Sequence, residues 1–222
     1  MEAAELITSI LALFAGTAQL PDVACTSRVA GSEHIKSATW ILEDRDKIIS
    51  VNNSIIEHSA SRKWILTDKH VRGLKPIILD QLAAILSNQP SPFTKTVLTG
   101  VLIYSKSAFT SDPIEKVIYV LTALESLLLK SESESIQQNL SERLAVFIVS
   151  GLIERKAVIR TVREVYAIRS RYLHHGKTSE ELNVIGEFLS YAWKFWLQLA
   201  PNILKFKNKE AFVAAIDDHK LS

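Results

Sequence analysis

The stretch RSRYLHHGK, from Arg169 to Lys177, holds the residue types with the greatest chemical reach in this chain. An arginine carries a permanent charge and a planar fork of donors suited to carboxylate or phosphate. A histidine ordinarily titrates near ~6.5, so at neutral pH it can accept or give up a proton. Arg169 and His174 are five residues apart, which is roughly 140° around an ideal helix. In one unbroken helix their side chains point to different sides. They converge if the helix ends near His174, where Gly176 is placed to act as a left-handed cap, or if a second copy of the helix contributes. The alternative for His174 and His175 is a position at a helix C-terminus, where imidazolium interacts well with the dipole.

The surrounding charge is uneven. Net charge over the chain is only +2. Yet residues 155–177 hold Arg155, Lys156, Arg160, Arg163, Arg169, Arg171 and Lys177 against the single acid Glu164, so the rest of the chain is net negative. Arg163, Arg171 and Lys177 lie close to the Arg169–His174 pair and are candidate contacts to an anion such as nucleic-acid phosphate. A solvated, salt-bridged helix face is the competing explanation.

Two charged residues interrupt apolar stripes. Val158, Val162, Val165, Arg169 and Tyr172 recur at helical spacing, so Arg169 takes a place that would otherwise be apolar. A guanidinium cannot discharge itself to suit such a site and needs a polar or anionic partner. Glu125 is the complementary case, set among Ile118, Leu121, Leu128 and Leu129. The two make an economical pair, either as part of a site or as an ion pair that fixes helix register. Other chemistries fit less well. Cys25 is far in sequence from the scattered histidines, so no zinc ligand set is evident. The chain has no phosphate-binding glycine loop and no GxSxG elbow. Neither a metal nor a cofactor is expected.

The elements that must position these residues read as helices. With 222 residues, 47% hydrophobic, the chain is long enough to bury a core; a chain of this size buries roughly 70% of its unfolded surface. Seven glycines and six prolines are few for a many-stranded fold. The expectation is an all-α protein. DPIEKVIYVLTALESLLL opens with Asp112 as N-cap and Pro113 at the first helical position. FTKTVLTGVLIYSKSAF precedes it, and SIQQNLSERLAVFIVSGL follows. A further helix is expected over about Glu154–Leu173. SEELNVIGEFLSYAWKFWLQLA then runs to Pro201, and KNKEAFVAAIDDHK supplies a short last helix. SNQPSP, at residues 87–92, is the clearest internal boundary. This divides the chain into a mostly helical region over 1–90, a helical bundle over 91–206 and a tail over 207–222. Within the first region KIISVNNSIIEHSASRKWILTDKH is open to short strands. The apolar run LITSILALFAGTA has Glu2 and Glu5 before it or within its approach and no basic leader, so it reads as a core helix rather than a signal peptide. No uncharged apolar stretch reaches the ~18 residues of a membrane span. One cysteine cannot form an intramolecular disulfide, and a cytoplasmic location is expected.

From about Pro92 to Pro201 the chain resembles a HEPN domain, most closely the Apea-like branch associated with abortive infection and phage defence. Three motifs carry the resemblance in order: LTALESLLL, SERLAVFI and VYAIRSRYLHHG. The last matches the family's arginine followed, after four to six residues, by histidine. The resemblance implies a HEPN-like helical bundle that dimerises and, in many members, a metal-independent ribonuclease that acts as a toxin or antiviral effector. It makes Arg169 and His174 the catalytic pair, with Glu125, Ser170 and His175 supporting them. Ser170 stands where active nucleases often carry asparagine, aspartate or histidine. Gly176 stands where one subgroup has a regulatory tyrosine, so that form of regulation is not implied.

The chemistry expected of such a site is attack of a ribose 2′-hydroxyl on its own phosphate. Histidine can transfer the protons, arginine can neutralise the phosphorane, and Glu125 can orient the arginine. RNA and a second copy of the chain are the expected partners, with a neutralising or trigger protein as a further one, and no membrane. The alternative function is a non-catalytic HEPN adaptor for dimerisation or RNA binding. A nucleotide-binding regulator is a third class, and it lacks a dedicated phosphate loop.

Overall fold

A computed structural model of the protein describes residues 19–25, 37–44, 47–55, 61–62, 68–74, 91–131, 133–175 and 181–220, together with Ile7, Ser9 and Asp80. The fold is predominantly helical and its bundle all-α, as the hydrophobic period predicts. Among the described residues a short helix α1 (Asp68–Leu74) precedes the bundle helices α2 (Pro92–Ala108), α3 (Pro113–Leu128), α4 (Ile136–Ile148), α5 (Leu152–His175), α6 (Leu182–Leu199) and α7 (Lys209–Lys220). A 3₁₀ segment, Ala200–Lys205, joins α6 to the approach of α7.

Local chemistry fixes where the helices begin. Asp112 accepts hydrogen bonds from the backbone N–H groups of Ile114 at 2.7 Å and Glu115 at 3.0 Å, and Pro113 follows it at the first helical position. Ser91 caps α2 in the same way, accepting from Thr94 N–H at 3.2 Å. Each cap satisfies donors that a helix start leaves without an intrahelical partner, a contribution of about 1 kcal/mol.

α3 is the central helix. Val117, Val120, Leu121, Ala123, Leu124, Leu127 and Leu128 are all buried completely. It packs against α2, α4, α5, α6 and α7. An aromatic cluster closes one part of the core. Phe93 of α2 meets Phe206 and Phe212 with ring centroids 5.7 and 5.1 Å apart, and Phe147 of α4 meets Phe195 and Phe212 at 5.1 and 5.4 Å. The segment expected as a tail is therefore tied into the bundle: Phe212, Val213 and Ile216 of α7 are core residues.

Two polar groups in this core, the Tyr104 hydroxyl and Trp196 Nε1, have no hydrogen-bond partner among the described residues. Tyr104 is fully buried beside Trp196, with ring centroids 5.4 Å apart. Its hydroxyl finds no hydrogen-bond partner among the described residues, and burial pushes the phenol well above its ordinary range. Tyr104→Phe removes that hydroxyl and keeps the ring. It is expected to raise stability to urea by about 1 kcal/mol, because a desolvated donor without a partner is a cost. A loss of stability would mean that the hydroxyl is bonded through a buried water.

The region before the bundle contains strands as well as helix. β1 (Ala24–Cys25) pairs in parallel with β4 (Ser61–Arg62). β2 (Ser37–Asp44) and β3 (Lys47–Ile55) form an antiparallel hairpin whose register shifts between Leu42 and Glu43. β3 falls in the segment left open to strands, whereas β2 extends the strand content upstream into a part expected to be helical. Its sequence, SATWILED, puts β-branched and aromatic residues where a short apolar run has no decisive period. The apolar run LITSILALFAGTA, expected as a core helix, lies almost wholly outside the described residues. β1 touches α2, and Lys116 of α3, itself completely buried, donates from Nζ to the carbonyl of Val23 at 2.8 Å.

Candidate active site

α5 carries the candidate site and owes its position to one apolar face. Val158, Val162, Val165 and Ile168 are buried against the bundle, while Arg160, Arg163, Ala167, Ser170, Arg171 and His174 are exposed. The helix continues through His175, past the expected end near Leu173. Arg169 and His174 therefore lie on one continuous helix, roughly 140° apart. Arg169 faces the bundle and His174 faces outward.

The structure brings Arg169 and Glu125 together. Arg169 Nη1 donates to Glu125 Oε1 at 3.2 Å, joining α5 to α3, with side chains 28% and 20% exposed respectively. The same oxygen accepts a shorter bond, 2.7 Å, from the hydroxyl of Tyr166. Burial, and then the neighbouring Glu125 carboxylate, push the Tyr166 phenol far above its ordinary range, so it stays protonated and donates. Arg169 Nε is buried and has no hydrogen-bond partner among the described residues. Among the described residues the guanidinium is thus anchored through Nη1 alone.

The other candidate residues are spread around this point. Arg171 pairs with Glu181 across the α5–α6 connection, its Nη2 lying 3.1 Å from both carboxylate oxygens. Arg163 and Ser170 are exposed on the outer face of α5. His175 ends the helix, its side chain outside the described residues, as are Gly176 and Lys177. Among the described residues no three histidine, cysteine, aspartate or glutamate side chains converge as a metal site. No described helix is long and apolar enough to cross a membrane.

Sequence reasoning passed over two residues. Tyr166 precedes Arg169 by three positions, the helical spacing that puts both on one side of α5, and this spacing was the available signal. Arg143, inside the SERLAVFI motif, is only 3% exposed and binds Glu134, Asp217 and the carbonyl of Leu128. It interrupts the apolar stripe of Leu140, Leu144 and Phe147 much as Arg169 interrupts its own.

No family model matches the chain, and no curated protein or solved structure matches it either.

Proposed function

We propose that this protein is a metal-independent endoribonuclease of the HEPN type, active as a homodimer and employed as a toxin or phage-defence effector. The observation that carries the reading is the state of Arg169: a guanidinium on the bundle side of α5, held to Glu125 through one nitrogen, with its Nε unpaired among the described residues. It lies in the most basic segment of the chain and on the same helix as His174. An arginine kept for register alone would be expected to fill more of its donors from the bundle, as Arg143 does.

The proposed reaction uses two copies of α5 related by a two-fold axis. One protomer places Arg169 and His174 on different sides of the helix, and pairing two helices brings a second histidine to the cleft. One His174 takes the proton from a ribose 2′-hydroxyl as the 2′-oxygen bonds to phosphorus. The bond from phosphorus to the 5′-oxygen breaks, and the other His174 protonates that oxygen. Arg169 neutralises charge on the phosphorane oxygens, where fixed donors act most strongly.

The test is end-labelled RNA incubated with purified protein, with and without EDTA. Cleavage is expected to persist in chelator and to leave 2′,3′-cyclic phosphate ends. Cleavage that needs added Mg²⁺ and leaves 5′-phosphates would overturn the mechanism. RNA bound and left intact would assign the protein to the adaptor class instead.

A further inference from the structure

Glu125 accepts two donors on the same oxygen, and the neutral one is closer: Tyr166 at 2.7 Å against Arg169 at 3.2 Å. We propose that Tyr166 is a positioning residue that keeps the Glu125 carboxylate hydrogen-bonded while Arg169 leaves it for a phosphodiester of bound RNA. This rests on the reading of Arg169 as the phosphate-binding group. It adds how that group is released.

The physical problem is the carboxylate left behind. Glu125 is four-fifths buried, and its side chain has no donor other than Tyr166 and Arg169 among the described residues. Were Arg169 its sole donor, each binding event would strand a buried charge, and that cost would be subtracted from RNA affinity. Tyr166 removes most of this cost because the shorter of the two bonds survives the departure of the arginine. Its phenol is driven far above its ordinary range by burial and by Glu125, so the donor persists at any pH at which RNA is handled. The two residues also differ in reach. Tyrosine is a rigid ring on two torsions, fixed on the bundle side of α5, whereas arginine is a long chain able to swing. On the arginine side little is lost, since among the described residues Nη1 alone is engaged and Nε has no partner to give up.

A group that merely braces the fold would change stability and leave RNA affinity alone. The experiment therefore measures binding of a 2′-O-methyl oligonucleotide, which cannot be cleaved through its 2′-oxygen, to the full chain. The ¹⁵Nε–H signal of Arg169, assigned by its loss in Arg169→Lys, reports where the guanidinium sits. In the wild type this signal is expected to move when the oligonucleotide is added. Tyr166→Phe is expected to bind roughly tenfold more weakly. Its thermal midpoint should fall as well, because a buried bond to a carboxylate is lost, and a larger share of Arg169 should remain at its unbound position. Glu125→Gln leaves no charge to strand. It is expected to bind at least as tightly as the wild type, and to make Tyr166→Phe harmless when the two are combined.

Wild-type affinity in Tyr166→Phe overturns the proposal. So does weaker binding in Glu125→Gln, which would mean that Arg169 works while still held; that variant decides the matter even where Tyr166→Phe fails to fold. In either case cleavage that depends on His174 leaves the nuclease reading standing. An Arg169 signal that the oligonucleotide does not move overturns this proposal, and intact cleavage by Arg169→Ala would remove the nuclease assignment with it.

Discussion

His174→Ala is expected to slow RNA cleavage by about 10²- to 10⁴-fold, the usual contribution of a positioned proton-transfer group. The thermal midpoint should be nearly unmoved, because His174 is exposed near the end of α5 and contributes nothing to the core. Arg169→Ala should lose activity on the same scale, since a fixed donor to a developing oxyanion is worth about 10²- to 10³-fold. It should differ in stability. Removing the guanidinium deletes its bond to Glu125 and costs about 1–3 kcal/mol, with Tyr166 left to hold the carboxylate. The contrast between the two variants is the informative part: equal losses of activity with unequal losses of stability separate a group facing outward from one facing the bundle. Expressing the wild type with differently tagged Arg169→Ala/His174→Ala protein probes the two-fold arrangement. A shared cleft predicts activity falling close to the square of the wild-type fraction, because mixed dimers lack a complete set of groups. A linear fall would mean that each protomer is self-sufficient. Cleavage unchanged in both single variants would overturn the assignment of the site.

How much of this could be read beforehand depended on the length of the pattern. The bundle helices were legible because their apolar stripes run for three turns or more and their ends carry chemistry, as with Asp112 and Pro113 at the start of α3. The hairpin over residues 37–55 was less so. SATWILED and KIISVNNSI are short, and a run of eight or nine residues gives periods of 2 and 3.6 little room to diverge. The α7 segment was legible as a helix but not as part of the core. Only its packing reveals that Val213 and Ile216 are core residues and that Phe212 completes an aromatic cluster begun by Phe93, far away in sequence.

The site divides in the same manner. Arg169 and Glu125 could be paired from sequence because each is a charge on an apolar stripe and opposite anomalies attract. Tyr166 could not be assigned in that way, since a tyrosine on a half-buried face is unremarkable until its hydroxyl is seen 2.7 Å from the shared oxygen. Arg171 was read as a phosphate contact from its charge alone. Its pairing with Glu181 depends on how the chain returns from α5 to α6, which no local pattern encodes.

Arg143→Met is expected to destabilise the protein by about 3–5 kcal/mol, the cost of breaking a buried charge network by removing one member. Arg143 is 3% exposed and its guanidinium is fully employed. Nε donates to Asp217 Oδ1 at 2.9 Å, Nη1 to Glu134 Oε2 and the Leu128 carbonyl at 2.8 Å each, and Nη2 to Glu134 Oε1 at 2.9 Å and Asp217 Oδ2 at 3.1 Å. These bonds tie α4 to the end of α3, to the turn before α4 and to α7. The substitution removes the guanidinium from all three acceptors at once, and among the described residues the Glu134 carboxylate keeps only the backbone N–H of Lys130, at 2.9 Å. Lys130 and Lys220 still reach Asp217, at 2.8 and 3.5 Å, so that carboxylate is the least orphaned. Replacing Arg143, Glu134 and Asp217 together by apolar residues should recover most of the loss, because a network removed whole leaves no unpaired charge. Acid should distinguish the variants further. The hydrogen bond from Arg143 lowers the Glu134 carboxyl, while at Asp217 burial pulls upward and the bonds from Arg143 and Lys130 outweigh it, holding the group well below the usual carboxylate range. Both groups therefore bind fewer protons in the folded chain than in the unfolded one. The stability they add is complete at neutral pH and declines as pH falls from about 5 through their depressed values. Urea titrations across that range should give a steep loss for the wild type and a flatter one for Arg143→Met. Equal slopes would mean that the carboxylates are held down by the lysines and that Arg143 is not the centre of the network.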